Sequence, residues 1–358
     1  MFSEFIFNNT PVFVGLDSIS RLNQFVSNLK PSKIFILVDS NTKIYCLPIL
    51  FKHNPDLINC HIIDVGLGES IKSISNFKLV CKTLISQHID RNSLILNLGG
   101  GVICDFGGFV SSVLKRGIHF INVPTSLMSQ VDASIGGKVG LNLGDYKNQI
   151  GLFSNPNSVI IYTPFLSSLP QEHILSAHSE IFKYALIYDA YLWKKISVMG
   201  LLDISQLNTI IHKCVEIKTT IIQLDYHDFN DRRKLNFGHS IGHAIESVFL
   251  NQNKPISHGF ALSIGIICET YISYLRCGLS KNILNSVVEV IFNIFPSIFL
   301  DPKEDDLILE YIKYDKKNSQ GLLNFTLIKD IGVALVNFPV FEQDVLLSLD
   351  FYRKKCRI

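Results

Sequence analysis

No Cys-x-x-Cys pair occurs among the eight cysteines, Cys46, Cys60, Cys81, Cys104, Cys214, Cys268, Cys277 and Cys356. Most of them sit in apolar stretches. They read as reduced, buried thiols of a cytoplasmic protein, not as a disulfide frame or a paired-cysteine metal knuckle. An excess of charge is missing too. The net charge is +2, and no block of lysine and arginine lies among stacking aromatics, which argues against a nucleic-acid partner. No uninterrupted apolar run reaches membrane-spanning length, so no membrane association is expected. Glu4 stands where a secretory leader would carry basic residues, so a signal peptide is not expected either. Internal repeats and low-complexity linkers are also absent.

What is present is a core. Of 358 residues, 47% are hydrophobic and 18% charged, which suits a soluble protein large enough for two domains. Short β-rich runs at Ile34–Val38, Ile62–Val65, Leu94–Leu98, Ile118–Val123 and Ser158–Tyr162 alternate with helical stretches such as Asn76–Gln87. That alternation predicts a parallel sheet with helices on its faces. After Pro164 the strand signal fades and amphipathic helices follow, at Gln171–Tyr188, Ile210–Leu224 and Ile283–Phe295. The expected division is an α/β domain over 1–165 and a mostly α-helical domain over 166–358, with the boundary near Thr163–Pro170.

Two segments of the first half suit anions. Strand Leu94–Leu98 runs into Gly99-Gly100-Gly101-Val102-Ile103-Cys104-Asp105 at a helix start, where backbone N–H groups can approach a pyrophosphate. The G-x-G-x-x-G pattern is met at Gly99 and Gly101 but ends in Cys104, which is expected to hold helix and strand slightly apart. Further on come Pro124-Thr125-Ser126, then Asp132, Gly136-Gly137-Lys138, Asn142, Lys147 and Asn148. With Arg116 nearby, this set suits an anionic substrate, as do Lys183, Lys218, Arg232 and Lys316 in the second half.

Histidine carries the strongest signal. In Asn236-Phe237-Gly238-His239-Ser240-Ile241-Gly242-His243 the two imidazoles lie four apart and share a helix face. His258-Gly259 follows after Pro255, and Glu180 is the best carboxylate candidate. Glycines beside these histidines leave room for an ion, and nitrogen donors from two segments suit zinc. A two-histidine set with Glu180 and a three-histidine set are both open on spacing. His53, His61, His88, His119, His212 and His227 read as structural.

The chain resembles the 3-dehydroquinate synthase family at Gly99-Gly100-Gly101-Val102, Pro124-Thr125, Gln130-Val131-Asp132, Gly136-Gly137-Lys138, Lys147-Asn148, Glu180, Lys183-Tyr184, Leu235-Asn236-Phe237-Gly238-His239, Gly242-His243-Ala244-Ile245-Glu246, His258-Gly259 and Asp315-Lys316-Lys317. The resemblance implies an α/β Rossmann-like NAD-binding domain followed by a mostly α-helical metal-binding domain, usually as a homodimer. It implies Glu180, His239 and His258 as ligands of Zn2+ or Co2+, with His243 on the substrate side. It implies NAD contacts at Asp39, Glu69, Lys72, Gly100, Gly101, Val102, Asp105, Thr125, Ser126, Lys138, Lys147, Phe165 and Ser168. The implied substrate contacts are Asp132, Lys138, Asn148, Lys183, Lys218, Arg232, Asn236, His243 and Lys316, and Arg116 resembles an arginine that reaches the substrate phosphate from a neighbouring subunit.

Cys104, Ser126, His173, Ser179 and Asp228 depart from the family pattern. The implied substrate is 3-deoxy-D-arabino-heptulosonate 7-phosphate. The implied reaction is transient oxidation by NAD, loss of phosphate, return of hydride and ring closure to 3-dehydroquinate. Another sugar phosphate cyclase and a metal-dependent polyol dehydrogenase are the rival activities, and a nucleotide-binding scaffold is the rival without activity.

Overall fold

The computed structural model describes residues 2–144, 146–201, 203–313 and 323–356. Lys316, with Asp315 and Lys317 of the same motif, lies outside them. The chain divides into two compact units, Met1–His173 with Ile204–Tyr226, and Ile174–Asp203 with His227–Ile358.

The first unit is built on a seven-stranded sheet. Its strands are β1 (Phe2–Phe7), β2 (Thr10–Gly15), β3 (Ile34–Val38), β4 (His61–Asp64), β5 (Leu94–Gly99), β6 (His119–Pro124) and β9 (Ser158–Ile161), in the order β1-β2-β9-β6-β5-β3-β4. Only the β1–β2 pair is antiparallel. The five strands expected from apolar runs are β3, β4, β5, β6 and β9, with ends shifted by a residue at most, while β2, which also pairs in parallel, and β1 were not expected. Both faces are covered. Phe35, Leu37 and Ile95 pack into one core, while Ile36, Val38, Leu94, Leu96 and Leu98 pack into the other. In β3 and β5 period-2 alternation therefore sends apolar side chains into both layers, which is why these two read as near-continuous hydrophobic stretches, whereas on the edge strand β4 only Ile63 is buried.

Between β6 and β9, two further strands pair as an antiparallel hairpin, β7 (Lys138–Leu143) with β8 (Tyr146–Phe153). The sequence had suggested only a polar loop there. Gly140 stands opposite Gly151, where a Cβ at Gly140 would meet the Ile150 carbonyl at 2.6 Å. Glycine serves the close approach of the two strands, while Val139 and Leu141 of β7 carry a short apolar alternation into the core.

The second unit is mostly helical, with Gln171–Tyr188, Ala190–Met199, His239–Asn251, His258–Arg276, Lys281–Ile294, Asp305–Lys313 and Glu342–Lys355 as its longer helices. It also contains an antiparallel hairpin, β10 (Leu323–Asp330) with β11 (Val333–Val340), which apolar periodicity had not suggested. Glycines bring three helices together. A Cβ at Gly259 would run into the Ser176 carbonyl, one at Gly265 into the Gly238 carbonyl, and one at Gly242 would lie 3.2 Å from Leu262 Cα. The helices that begin at Gln171, His239 and His258 thus pack at backbone distance. No helix among the described residues is long and apolar enough to cross a membrane.

Candidate active site

The close-packed helices of the second unit converge their polar side chains on one point. Glu180 Oε1 lies 3.3 Å from His239 Nε2 and 3.4 Å from His258 Nε2. The other ring nitrogens are committed. His239 Nδ1–H donates to the Phe237 carbonyl at 3.2 Å, and His258 Nδ1–H donates to Glu246 Oε2 at 3.2 Å. Each imidazole therefore turns an Nε2 lone pair toward the same carboxylate oxygen. Two lone pairs and an anionic oxygen repel at this distance unless a cation lies among them, so the donor set fits a divalent metal held by one carboxylate and two imidazoles.

The charges are arranged to match. Lys183 Nζ, one helical turn from Glu180, lies 2.5 Å from Glu180 Oε2, and both side chains are 2% exposed. Burial works against the Glu180 charge, yet Lys183 and the two histidines hold its carboxyl well below the usual range. Burial and the Lys183 ammonium push His239 down, favouring the neutral ring that a metal needs. For His258 burial also opposes the charge, but Glu180 and Glu246 outweigh it and lift the ring to about 10.

His243 is exposed, with its ring 5.1 Å from His239 and 5.5 Å from His258. Its ligand atom and those of His239 and His258 lie within 4.8 Å of one another, so a three-histidine set is also within reach. Arg232 is buried in the turn that leads to Asn236. The buried Asn236 Nδ2 has no hydrogen-bond partner among the described residues, which leaves a donor for a ligand oxygen.

In the first unit the strand order reverses between β3 and β5, which pair in parallel. Ligands of such sheets bind at the carboxyl ends of the strands at this switch point. Asp39 follows β3 and caps the next helix, its carboxylate accepting from Thr42 N at 2.7 Å. Gly99 ends β5, and Gly100 starts the helix Gly101–Val113, whose first turn no side chain caps. A Cβ at Gly100 would lie 3.2 Å from Ser126 Oγ, and one at Gly101 would lie 3.0 Å from Ala133 Cβ. An uncapped helix start in this position suits a pyrophosphate.

Cys104 does not set the spacing behind that turn. Its thiol is buried and donates to the Gly99 carbonyl at 3.8 Å. The closest approach of helix to strand is at Gly107, where a Cβ would overlap Asn97 Oδ1.

Most of the other residues proposed for a nucleotide lie around this end of the sheet. Lys72, 4% exposed, pairs with Asp105 Oδ2 at 2.8 Å and with Glu69 Oε1 at 3.6 Å, and donates to Asn148 Oδ1. Burial opposes its charge, but Asp105 and Glu69 hold the ammonium above its ordinary value. Asn148 has left-handed backbone (φ 54°) and its N–H donates to Asn142 Oδ1 at 2.9 Å. Thr125 is buried, and Ser126 Oγ lies 2.9 Å from Ser129 Oγ. Ser168 Oγ donates to the Phe165 carbonyl at 3.2 Å. Val102 packs partly buried against the core. The Phe165 ring is fully buried, 5.2 Å from Tyr162, which leaves only its backbone for a ligand.

Lys218 Nζ meets Asp132 twice, at 2.9 Å from Oδ1 and 2.7 Å from the carbonyl. Lys138 and Lys147 are exposed on the β7–β8 hairpin. Arg116 is exposed on a turn where Lys115, Arg116 and Gly117 all have positive φ.

Among the histidines read as structural, His53 pairs with Tyr162 Oη and His119 with Asn157, each at 3.1 Å, and His61 stacks on Phe35. Glu246 had no assigned role from sequence. Its place two turns after His239 on the same helix was the available signal.

A family model described as 3-dehydroquinate synthase N-terminal matches residues 62–176, and one described as 3-dehydroquinate synthase C-terminal matches residues 177–318. The 3-dehydroquinate synthase of Parabacteroides distasonis is 38% identical over 345 residues, covering 96% of this chain and 98% of its own. Among solved structures, 2-deoxy-scyllo-inosose synthase, complexed with carbaglucose-6-phosphate, NAD+ and Co2+, gives a TM-score of 0.86 at 21% identity over 99% of this chain and all of that one. A probable glycerol dehydrogenase from Sinorhizobium meliloti gives 0.62 at 14% identity over 94% of each chain. At those identities the two structures speak for the fold alone. The sequence matches reach further, because they run through the glycine turn, the lysine pairs and all three converging ligand candidates: the chain belongs to the 3-dehydroquinate synthase family.

Proposed function

We propose that this protein is a 3-dehydroquinate synthase, a lyase that converts 3-deoxy-D-arabino-heptulosonate 7-phosphate to 3-dehydroquinate and phosphate in the shikimate pathway. The observation that carries the reading is Glu180 Oε1 within 3.4 Å of both His239 Nε2 and His258 Nε2. Glu180, His239 and His258 hold Zn2+ or Co2+ in this reading, and the glycine turn after β5 with Asp39, Glu69, Lys72 and Asp105 holds NAD. When bound, NAD supplies a reversible hydride acceptor and the metal a Lewis acid for the oxygen being oxidised.

The chain's own groups do the rest. Lys183 neutralises one oxygen of Glu180, so the carboxylate stays ionised in a buried site. A ring nitrogen of His243 takes the proton from the substrate hydroxyl. Asn236 Nδ2 donates to a substrate oxygen. Lys138, Lys218, Arg232 and Lys316 meet the carboxylate and phosphate, with Asn148 and the Lys218-paired Asp132 fixing hydroxyls. We further propose a cytoplasmic homodimer in which Arg116, exposed on its positive-φ turn, reaches the partner's substrate phosphate.

Incubation with the heptulosonate phosphate, NAD and Zn2+ tests the reading. Phosphate and dehydroquinate are expected to form in step while NADH absorbance stays flat. Absence of phosphate release, or net NADH accumulation on a simple polyol, overturns it.

A further inference from the structure

The His239 helix starts without a capping side chain of its own. Its N-cap is Gly238, in left-handed backbone (φ 80°, ψ −14°). A Cβ there would lie 2.6 Å from Ile266 Cγ1 and 2.9 Å from Leu262 Cδ1. Conformation and space therefore both exclude the serine, threonine or aspartate that would accept the first-turn N–H groups. Those donors go to a carboxylate on the neighbouring helix. Glu269 Oε2 accepts from Gly238 N at 2.6 Å, and Oε1 accepts from Ile241 N at 3.2 Å. Glu269 is completely buried, and its carboxyl group faces the positive end of a 13-residue helix.

Glu269 sits on the same helix as His258, about three turns further along. One helix thus carries one of the converging imidazoles and clamps the turn that carries the other. His239 is the first residue of the clamped turn, and its Nδ1–H bonds the Phe237 carbonyl, one residue before Gly238. The direction of His239 Nε2 follows from backbone that Glu269 holds.

We propose that Glu269 is a positioning residue for the metal centre, fixing His239 through the backbone of Gly238 and Ile241. The inference rests on the reading of Glu180, His239 and His258 as metal ligands. A cap that served only the fold would change stability and leave the metal's affinity and coordination alone.

Glu269→Gln separates the two roles. The amide keeps the size and one acceptor but turns an NH2 toward a backbone N–H. The probe is Co2+ titrated into the full-length protein, read by its d–d absorption, with far-UV circular dichroism as the check on folding. The expected result is a folded variant that binds Co2+ about tenfold or more weakly, with a displaced d–d band. Glu269→Asp, which keeps the charge with a shorter reach, is expected to move both in the same direction. Affinity and band equal to those of the unsubstituted protein in a folded variant would overturn the proposal. So would loss of folding in both variants, which would assign Glu269 to the fold alone. An unsubstituted protein that takes up no Co2+ would instead overturn the metal reading beneath it.

Discussion

Glu246 decides which nitrogen of His258 is free. Its Oε2 accepts from the Nδ1–H at 3.2 Å, so the Nε2 lone pair is left to face Glu180. Replacing Glu246 by glutamine keeps a hydrogen-bond partner but removes the charge that makes the ring more basic. Metal affinity is expected to fall on the order of 10–100-fold, and competition with a chromophoric chelator would measure it. Lys138→Ala provides the contrast. That ammonium is exposed on β7 and in the proposed function meets the anionic groups of the substrate, so its loss should raise KM for the phosphorylated substrate while metal stoichiometry stays the same. Zinc lost from the Lys138 variant, or unchanged affinity in the Glu246 variant, would contradict the division of roles between these two side chains. Both residues stand in the motifs that the sequence displays. Spacing leaves both two histidines with Glu180 and three histidines open, because it gives a helix face but no direction for an Nε2 atom.

At the scale of elements, the central parallel strands of the first unit were legible because both of their faces are buried, which writes a nearly unbroken apolar run into the chain. Leu94–Gly99 shows where such reading stops. Asn97 interrupts the run, and its Nδ2 donates to Asn122 Oδ1 at 2.9 Å across to β6. The helix laid over it has Gly107 at the contact, with no room for a methyl group. The β7–β8 hairpin stayed hidden for another reason: the apolar alternation of Val139 and Leu141 is only two buried residues long and stands between Gly136-Gly137 and Gly144. Gly107→Ala is expected to destabilise the first unit by roughly 1–3 kcal/mol, as overpacking does, read as a lower urea midpoint. Asn97→Ala in the same chain removes the clashing amide, so the double variant should lose less than the sum of the single losses. Strict additivity would mean that the two residues do not share the contact.

Over the whole molecule, the thiols are the property that both units share. All eight cysteines are free. Burial is the first cause that lifts Cys46 to about 12 and Cys60 and Cys277 to about 11, and it raises Cys104 and Cys268 as well. In the unfolded chain these thiols titrate near 9.0. The folded state therefore holds their protons more tightly than the unfolded state does. The stability this gives is fully present below pH 9 and is lost as pH rises through the folded values. Cys46, 4% exposed, would alone remove on the order of 2 kcal/mol by pH 10.5. Urea unfolding under reducing conditions should show a midpoint whose fall steepens from pH 9 upward, on top of the loss that His258, lifted to about 10, already gives above pH 6.5. Cys46→Ala should flatten part of that slope, since alanine has no proton to release. A midpoint that holds from pH 8 to 10.5, or a slope untouched by Cys46→Ala, would mean that the buried thiols do not govern the alkaline limit of this fold.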